Sequence, residues 1–116
     1  MRKSQEGVND RVQLARMGQE LNRRILERWM REGVTVIDPR NTWVDVDVDL
    51  SQDVTLMPGV ILQGATTIAP GAVIGPDTTL QDVEVGENTY TAASPRISSC
   101  KILSDVIMGW YNMVIN

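Results

Sequence analysis

The sequence predicts an α+β chain in which one long helix is followed by a short left-handed parallel β-helix built from hexapeptide repeats. Two observations support this class. An apolar periodicity of three and four residues runs through residues 14–29, and an aliphatic residue then stands at every sixth position from 44 to 80. Aromatic residues make up only 4% of the chain, which favours narrow stacked layers over a bulky central core.

The first predicted element is an amphipathic helix. Asn9 or Asp10 is the expected N-cap, because a short side-chain oxygen can accept a free N–H of the first turn, and Gly33 is the expected stop. One face carries the apolar residues Leu14, Met17, Leu21, Ile25 and Trp29. The opposite face alternates in charge through Arg16, Glu20, Arg23, Glu27 and Arg31. Such a helix is about 33 Å long, so part of its apolar face is expected to rest on something outside this chain.

The repeats are the most regular part of the chain. After a short predicted strand at 34–37, which ends in the turn Asp38-Pro39, the six-residue positions are Val44, Leu50, Leu56, Leu62, Ile68, Ile74 and Leu80. Four residues after each comes a second inward candidate, usually small or β-branched: Val48, Val54, Val60, Thr66, Ala72 and Thr78. Each hexad predicts one flat side of a triangular coil, with turn formers such as Pro58-Gly59 at the corners. An antiparallel sheet fits residues 44–49 locally but not the later hexads.

The six-residue register is expected to shift at Glu84, where the frame restarts early at Val85, and to end near Thr91. Beyond that point, the stretch 102–111 is apolar and poor in charge. It either caps the open end of the coil or does not fold. The chain is therefore expected to finish in an irregular C-terminal tail.

Charge and composition exclude several classes of function. A net charge of −4, with the basic residues largely in the first 40 positions, argues against nucleic acid or an anionic membrane as the partner. No signal peptide is apparent, and no apolar stretch approaches the roughly 20 residues of a membrane span. A single cysteine cannot form an internal disulfide, so a reducing cytoplasm is the expected location. The chain has no histidine, which excludes any mechanism that requires an imidazole from this chain.

Two further groups of residues are candidates for chemistry. Asp45, Asp47 and Asp49 alternate with valines, and a strand would place their carboxylates on one face, about 6.5–7 Å apart. They could share a Ca²⁺ or Mg²⁺ ion, although a solvated strand face with the valines inward explains the pattern more simply. Cys100 has no histidine partner, so an incidental or structural thiol is expected rather than a nucleophile.

Several motifs carry a specific resemblance. GVNDRVQL at residues 7–14 is followed by the helix, then by GVTVIDP at 33–39 and TWVDVDV at 42–48. This series, together with residues 75–80 and 83–86, resembles the middle of the bacterial bifunctional N-acetylglucosamine-1-phosphate uridyltransferase/glucosamine-1-phosphate acetyltransferase. The resemblance covers about residues 6–90. It assigns residues 1–33 to the end of the uridyltransferase domain and the linker helix, 34–90 to a partial β-helix of the trimeric LpxA-like kind, and 91–116 to an atypical tail.

The resemblance implies a function in UDP-N-acetylglucosamine synthesis for the cell wall. The family transfers uridylyl from UTP to N-acetylglucosamine 1-phosphate with Mg²⁺, and acetyl from acetyl-CoA to glucosamine 1-phosphate. By this similarity Asn9 is the one expected site residue, a ligand of Mg²⁺ and of the sugar nucleotide. Mg²⁺ usually also needs a carboxylate and substrate phosphates, so the isolated chain is not expected to hold the ion. Helix capping is the alternative role of Asn9.

This sequence departs from the family pattern in what surrounds the matched part. The glycine-rich nucleotide loop, the later coils with the catalytic histidine and the coenzyme A groove are absent, and the residues after Thr89 do not resemble the family's continuation. A truncated or frame-shifted reading of a longer gene would explain this. The chain is therefore interpreted as a fragment of the bifunctional enzyme, inactive alone and prone to self-association as a homo-oligomer. The alternatives are a non-catalytic scaffold or oligomerisation module and, less consistent with the missing histidine, a small acyltransferase in its own right.

Overall fold

The computed structural model describes residues 10–92, 96–102, 104 and 107–108. It confirms the predicted order, one long helix followed by a parallel β-solenoid of about four turns. The helix, α1, spans Arg11–Arg31, and a 3₁₀ turn follows at Pro39–Asn41. The strands are β1 Thr35–Val36, β2 Trp43–Val44, β3 Thr55–Leu56, β4 Ile61–Gln63, β5 Thr67–Ile68, β6 Val73–Ile74, β7 Thr79–Gln81, β8 Glu84–Val85, β9 Tyr90–Thr91, β10 Ile97–Ser98, β11 Lys101–Ile102 and β12 Ile107–Met108.

Both ends of α1 follow from local chemistry. Asp10 has extended backbone angles, and its side chain accepts a 2.8 Å hydrogen bond from the Val12 N–H, which makes it the N-cap. At the other end Gly33 adopts a φ of 98°. The N–H of Gly33 donates to the Met30 carbonyl at 3.3 Å, and that of Val34 donates to the Trp29 carbonyl at 3.0 Å. This pair of bonds is the Schellman stop, and it confirms the predicted end of the helix.

The strands form three parallel sheets, one for each side of the coil. Their orders are β1-β3-β6-β9-β12, β2-β4-β7-β10 and β5-β8-β11, with an isolated bridge from Asp49 to Thr67 extending the third. In the β2–β4, β3–β6 and β4–β7 pairings, partners lie eighteen positions apart, as where Trp43 pairs with Ile61 and Ile61 with Thr79. The first pairing is wider, since Thr35 of β1 pairs with Thr55 of β3, twenty positions on. Eighteen residues are three hexads, so the observed pairing confirms the predicted coil length.

The core is a narrow column of aliphatic and threonine side chains inside the coils. Every predicted inward position from Val44 to Leu80 is at most 5% exposed. Buried threonine hydroxyls find carbonyl partners, as where Thr66 Oγ1 donates to the Gln63 carbonyl at 2.7 Å. Each coil thus removes apolar surface of its neighbours from water, which is the main favourable term in folding.

The shift of register at Glu84 is confirmed. Val83 and Val85 are at most 2% exposed on either side of the exposed Glu84. Thr67 now pairs with Glu84, only seventeen positions on. The shortened corner contains Asp82, whose φ is 55°, and its Oδ1 accepts a 2.9 Å hydrogen bond from the Ala65 N–H of the preceding coil. One residue has therefore been lost from the corner without breaking the stack.

The solenoid continues past the expected end of its register at Thr91. Strands β10, β11 and β12 pair in parallel with β7, β8 and β9. Ile97 and Ile102 are each 1% exposed and stand five positions apart, the same short step that separates Leu80 from Val85. The described residues beyond Thr91 therefore form a further coil with a shortened corner. Residues 93–95, 103, 105–106 and 109–116 of the expected tail lie outside the described part.

The second half of α1 packs across the first coil. Its buried residues are Asn22, Ile25, Leu26 and Trp29, and the helix contacts β1, β2 and the 3₁₀ turn. Leu14, Met17 and Leu21 on the first half are each more than 50% exposed. Only part of the predicted apolar face is therefore covered by the described chain. No helix in that part is long and apolar enough to cross a membrane.

Candidate functional site

The predicted ligand Asn9 lies outside the described residues, so the structure leaves its role untested. Its neighbour Asp10 is the residue that caps α1. One Asp10 carboxylate oxygen is engaged by the Val12 N–H, which favours a role in starting the helix. Of the two N-cap candidates, the structure selects Asp10.

The acidic residues after β2 do not form the predicted strand face. β2 ends at Val44, and the chain then turns a corner that is closed by a 3.2 Å hydrogen bond from the Val48 N–H to the Asp45 carbonyl. As a result Val46 is 67% exposed, although Val44 and Val48 point inward as expected. The expectation of a strand with every valine inward is therefore wrong, because the corner breaks the two-residue alternation.

The Asp45 carboxylate has a backbone partner in the next coil. Its Oδ2 accepts a 3.2 Å hydrogen bond from the Gly64 N–H of the next coil. Among residues 10–92, 96–102, 104 and 107–108, no group of three or more histidine, cysteine, aspartate or glutamate side chains could hold a metal ion. The shared-ion hypothesis for Asp45, Asp47 and Asp49 is therefore not supported.

Cys100 is half-buried against the core on the third side of the coil. Desolvation by burial raises the pKa of its thiol. A raised pKa lowers the fraction of reactive thiolate at neutral pH. The environment thus fits a packing role better than a nucleophilic one.

A cleft of about 520 Å³ lies where α1 meets the first coil. Its apolar lining comes from Leu26, Met30, Pro39 and Trp43, and its polar rim from Gln19, Asn22, Arg23, Glu27 and Arg40. The Arg23 guanidinium is held by Glu20 at 2.8 Å and by Glu27 at 3.7 Å. Hydrogen bonds from Arg23 and then Arg24 lower the pKa of Glu20 to about 2. At the rim, Arg23 and Glu27 are engaged with each other, so the cleft suits contact rather than catalysis.

Sequence reasoning missed Asn22, which joins α1 to β2. Its Nδ2 donates to the Thr42 carbonyl at 2.7 Å and its Oδ1 accepts from the Val44 N–H at 3.0 Å. A polar residue within a helix gives no pattern that marks such a contact. Its position on the same side as Ile25, Leu26 and Trp29 is the only available signal.

Comparison with known proteins gives one consistent result. No family model matches the chain. The bifunctional protein GlmU of Cutibacterium acnes is 62% identical over 89 residues, which is 77% of this chain and 21% of that protein. GlmU of Micrococcus luteus is 63% identical over 82 residues, 71% of this chain and 16% of that protein. GlmU of Rhodococcus opacus is 64% identical over 81 residues, 70% of this chain and 16% of that protein.

The chain thus spans about a fifth or less of the length of the relatives it matches. The matched length, 80 to 89 residues, fits the extent of the resemblance predicted from the GVNDR motif, the helix and the repeats. That recognition is therefore confirmed: the chain is related by sequence to a segment of the bifunctional protein GlmU, consistent with the middle of that protein.

Proposed function

We propose that this chain supplies the linker helix and first coils of a bifunctional transferase in UDP-N-acetylglucosamine synthesis. The activities would be uridylyl transfer to N-acetylglucosamine 1-phosphate and acetyl transfer to glucosamine 1-phosphate. The observation that supports the proposal most is the 62% identity to GlmU over 89 residues. In this chain a helix leads directly into a parallel solenoid, as a linker followed by first coils would require.

Within such an enzyme the chain's own residues would have mechanical roles. α1 would join the nucleotide-handling domain to the solenoid, and the coils would stack beneath the later coils that bind acetyl-CoA. Repeat coils contact only their neighbours, so a terminal coil contributes stability and alignment rather than reacting groups. The carboxylates of Asp10, Asp45 and Asp82 have such a structural role, because they accept hydrogen bonds from the backbone of the helix or of an adjacent coil.

We also propose that Asn9 contributes one oxygen to Mg²⁺ and to the sugar nucleotide in the longer enzyme. Asp10 is already engaged as the N-cap, and the described residues provide no group of three acidic or metal-ligating side chains. Further ligands would have to come from the nucleotide-binding domain and the substrate phosphates. The described residues alone do not fit the ion, and no chemical step is assigned to it.

By itself the chain is proposed to lack both activities. By resemblance, the family's acetyl transfer uses a catalytic histidine, and the sequence has none. A cytoplasmic homo-oligomer, trimeric by analogy with the family, is the expected setting. The second candidate function, a non-catalytic scaffold, is favoured by the exposed apolar face of the first half of α1.

A segment exchange tests the proposal. Residues 10–92 would replace the matching segment of Cutibacterium acnes GlmU, and formation of UDP-N-acetylglucosamine and transfer of acetyl would be assayed separately. We expect both activities to be retained. The control exchange carries Leu62→Asp, which places a charge in the buried column and should abolish assembly. A well-folded chimera that loses both activities would contradict the proposal, as would turnover by the isolated 116-residue chain.

A further inference from the structure

Within the described part of the chain, the first strand of the second sheet has one edge without a partner strand. β2 is the terminal strand in the order β2-β4-β7-β10. The N–H groups of Trp43 and Asp45 point toward β4, donating to the Val60 and Leu62 carbonyls at 2.9 Å each. The Thr42 carbonyl and the Val44 N–H alternate with them and therefore face the opposite edge. Such an edge can pair with another chain unless it is covered.

The carboxamide of Asn22 covers this edge. In a parallel ladder, a residue paired with Trp43 would donate its N–H to the Thr42 carbonyl. Its own carbonyl would accept a hydrogen bond from the Val44 N–H. Asn22 does both, donating at 2.7 Å to the Thr42 carbonyl and accepting at 3.0 Å from the Val44 N–H. The side-chain amide has an N–H donor and a C=O acceptor like those of the backbone, so it stands where the paired residue of a preceding coil would lie.

Asn22 also occupies the position at which α1 leaves the solenoid. It is 8% exposed, and every described residue of the helix before it is exposed. Toward its C-terminal end, α1 is held against the first coil by the apolar packing of Leu26 and Trp29. Such packing is non-directional, so it fixes the position of the helix more than the direction of its axis. The two hydrogen bonds of Asn22 add a directional contact about 10 Å along the axis from Trp29. Residues 11–21, roughly 16 Å of helix, extend beyond it without cover from the described residues.

We propose that Asn22 is a positioning residue that closes the edge of β2 in place of a strand and fixes the direction in which α1 leaves the solenoid. An asparagine suits this task because its amide nitrogen donates and its carbonyl oxygen accepts without carrying a charge. The closed edge prevents a second copy of the chain from adding a strand to β2. That a fixed helix direction would orient a preceding domain rests on the proposed function. The closure of the β2 edge does not.

Residue-resolved hydrogen exchange on the full 116-residue chain tests this inference. Asn22→Leu keeps the approximate size but removes both hydrogen bonds. We expect the Val44 amide to exchange roughly tenfold faster or more, the factor that corresponds to a loss of about 1.4 kcal/mol for a buried hydrogen bond. The Trp43 and Asp45 amides, which bond to β4, should keep their protection. Gln19→Leu, an exposed change on the same helix, is the control and should leave Val44 unaltered.

Asn22→Asp gives a second readout that loss of packing alone would not produce. At neutral pH the introduced carboxylate can accept from the Val44 N–H but faces the Thr42 carbonyl without a donor. Burial beside that oxygen should raise the pKa of the new carboxyl above its unfolded value. The destabilisation relative to the wild-type chain should then be full above that pKa and shrink as the pH falls through it.

Two results would overturn the inference. One is unchanged Val44 exchange in a folded Asn22→Leu chain. The other is an Asn22→Asp stability difference that does not vary with pH. Neither readout depends on catalytic turnover, so a failure here is distinguishable from a failure of the transferase proposal, which the segment exchange tests.

Discussion

The two halves of α1 share one apolar face but bury it to very different degrees. In the first half, Leu21 is 55% exposed and Met17 is 58% exposed, whereas Leu26 in the second half is 1% exposed. The second half rests on the first coil, and no described residue covers the first. The periodicity of α1 therefore predicts an apolar face, but only the tertiary structure shows which part of that face is buried and by which segment.

The solenoid differs from the helix because each coil covers the next. Leu62 lies between Val44 and Leu80 in the parallel pairing, and the side chains of Leu62 and Leu80 are fully buried. A repeat thus supplies its own partner surface, which is why its register persists through a shortened corner. An unpartnered helix face has no such source of burial.

The largest expected effect comes from truncating the same residue type in the two halves of α1. Leu26→Ala should lower the free energy of unfolding by about 2–5 kcal/mol, because it opens a cavity against the first coil. Leu21→Ala, the matched control, should change it by no more than about 0.5 kcal/mol. Urea denaturation followed by circular dichroism measures both. Comparable losses for the two variants would mean that the first half of the helix is also covered.

A second pair of substitutions compares a solenoid corner with the exposed side of the helix. Gly59 has a φ of 84°, and a Cβ built on it would overlap the Asp77 carboxylate. Gly59→Ala should therefore destabilise the chain by about 1–3 kcal/mol. A Cβ added at Gly18 would meet nothing within 4 Å, so Gly18→Ala should stabilise the helix by about 0.5–1 kcal/mol. Thermal melts of both variants should shift in opposite directions, and shifts of the same sign would contradict the comparison.

The N-cap of the uncovered half of α1 should have a smaller, local effect. Asp10→Ala removes the acceptor of the Val12 N–H and should cost about 1 kcal/mol of helix stability. The loss should appear as faster amide exchange in the first turn, with the solenoid unaffected. Asp10→Ser retains a capping oxygen and is the control. If both variants fray equally, a different residue caps the helix.

The smallest expected effect is electrostatic. Hydrogen bonds from Arg23 and Arg24 lower the pKa of Glu20 to about 2, from an ordinary value of 4.5. Because the folded pKa lies below the unfolded one, this contribution to stability is present above pH 4.5 and is lost as the pH falls toward 2. An NMR titration of the Glu20 carboxyl should show the low pKa, and Arg23→Ala with Arg24→Ala should raise it toward the ordinary value. A Glu20 pKa near 4.5 in the unaltered chain would show that the ion pairs do not form in solution.

The sequence predicted the parts of the fold that depend on a repeated local pattern. The six-residue spacing identified the inward column from Val44 to Leu80, and Gly33 identified the end of the helix. The sequence did not predict that the solenoid continues past Thr91. Inward residues there do not repeat every six positions, because Ile97 and Ile102 are five apart, and the inward residue Thr91 is polar. Val46 was misplaced because a corner interrupts the alternation that a strand would show.

The candidate site was less accessible to sequence reasoning. Contacts that join distant segments, such as those of Asn22 with Thr42 and Val44, depend on the angle between α1 and the first coil. No local pattern encodes that angle. Asn9 entered through resemblance alone, and its role stays a prediction.

Hydrogen exchange measured by mass spectrometry along the whole chain tests the central comparison most directly. Peptides from the solenoid between residues 54 and 91 and from 96–102 should be the most protected, because their amides bond to neighbouring coils. Peptides from residues 22–31 should follow, and those from 11–21 should exchange fastest, since opening there exposes no core. Protection that ends near residue 91, or that is as strong in 11–21 as in the solenoid, would contradict this account.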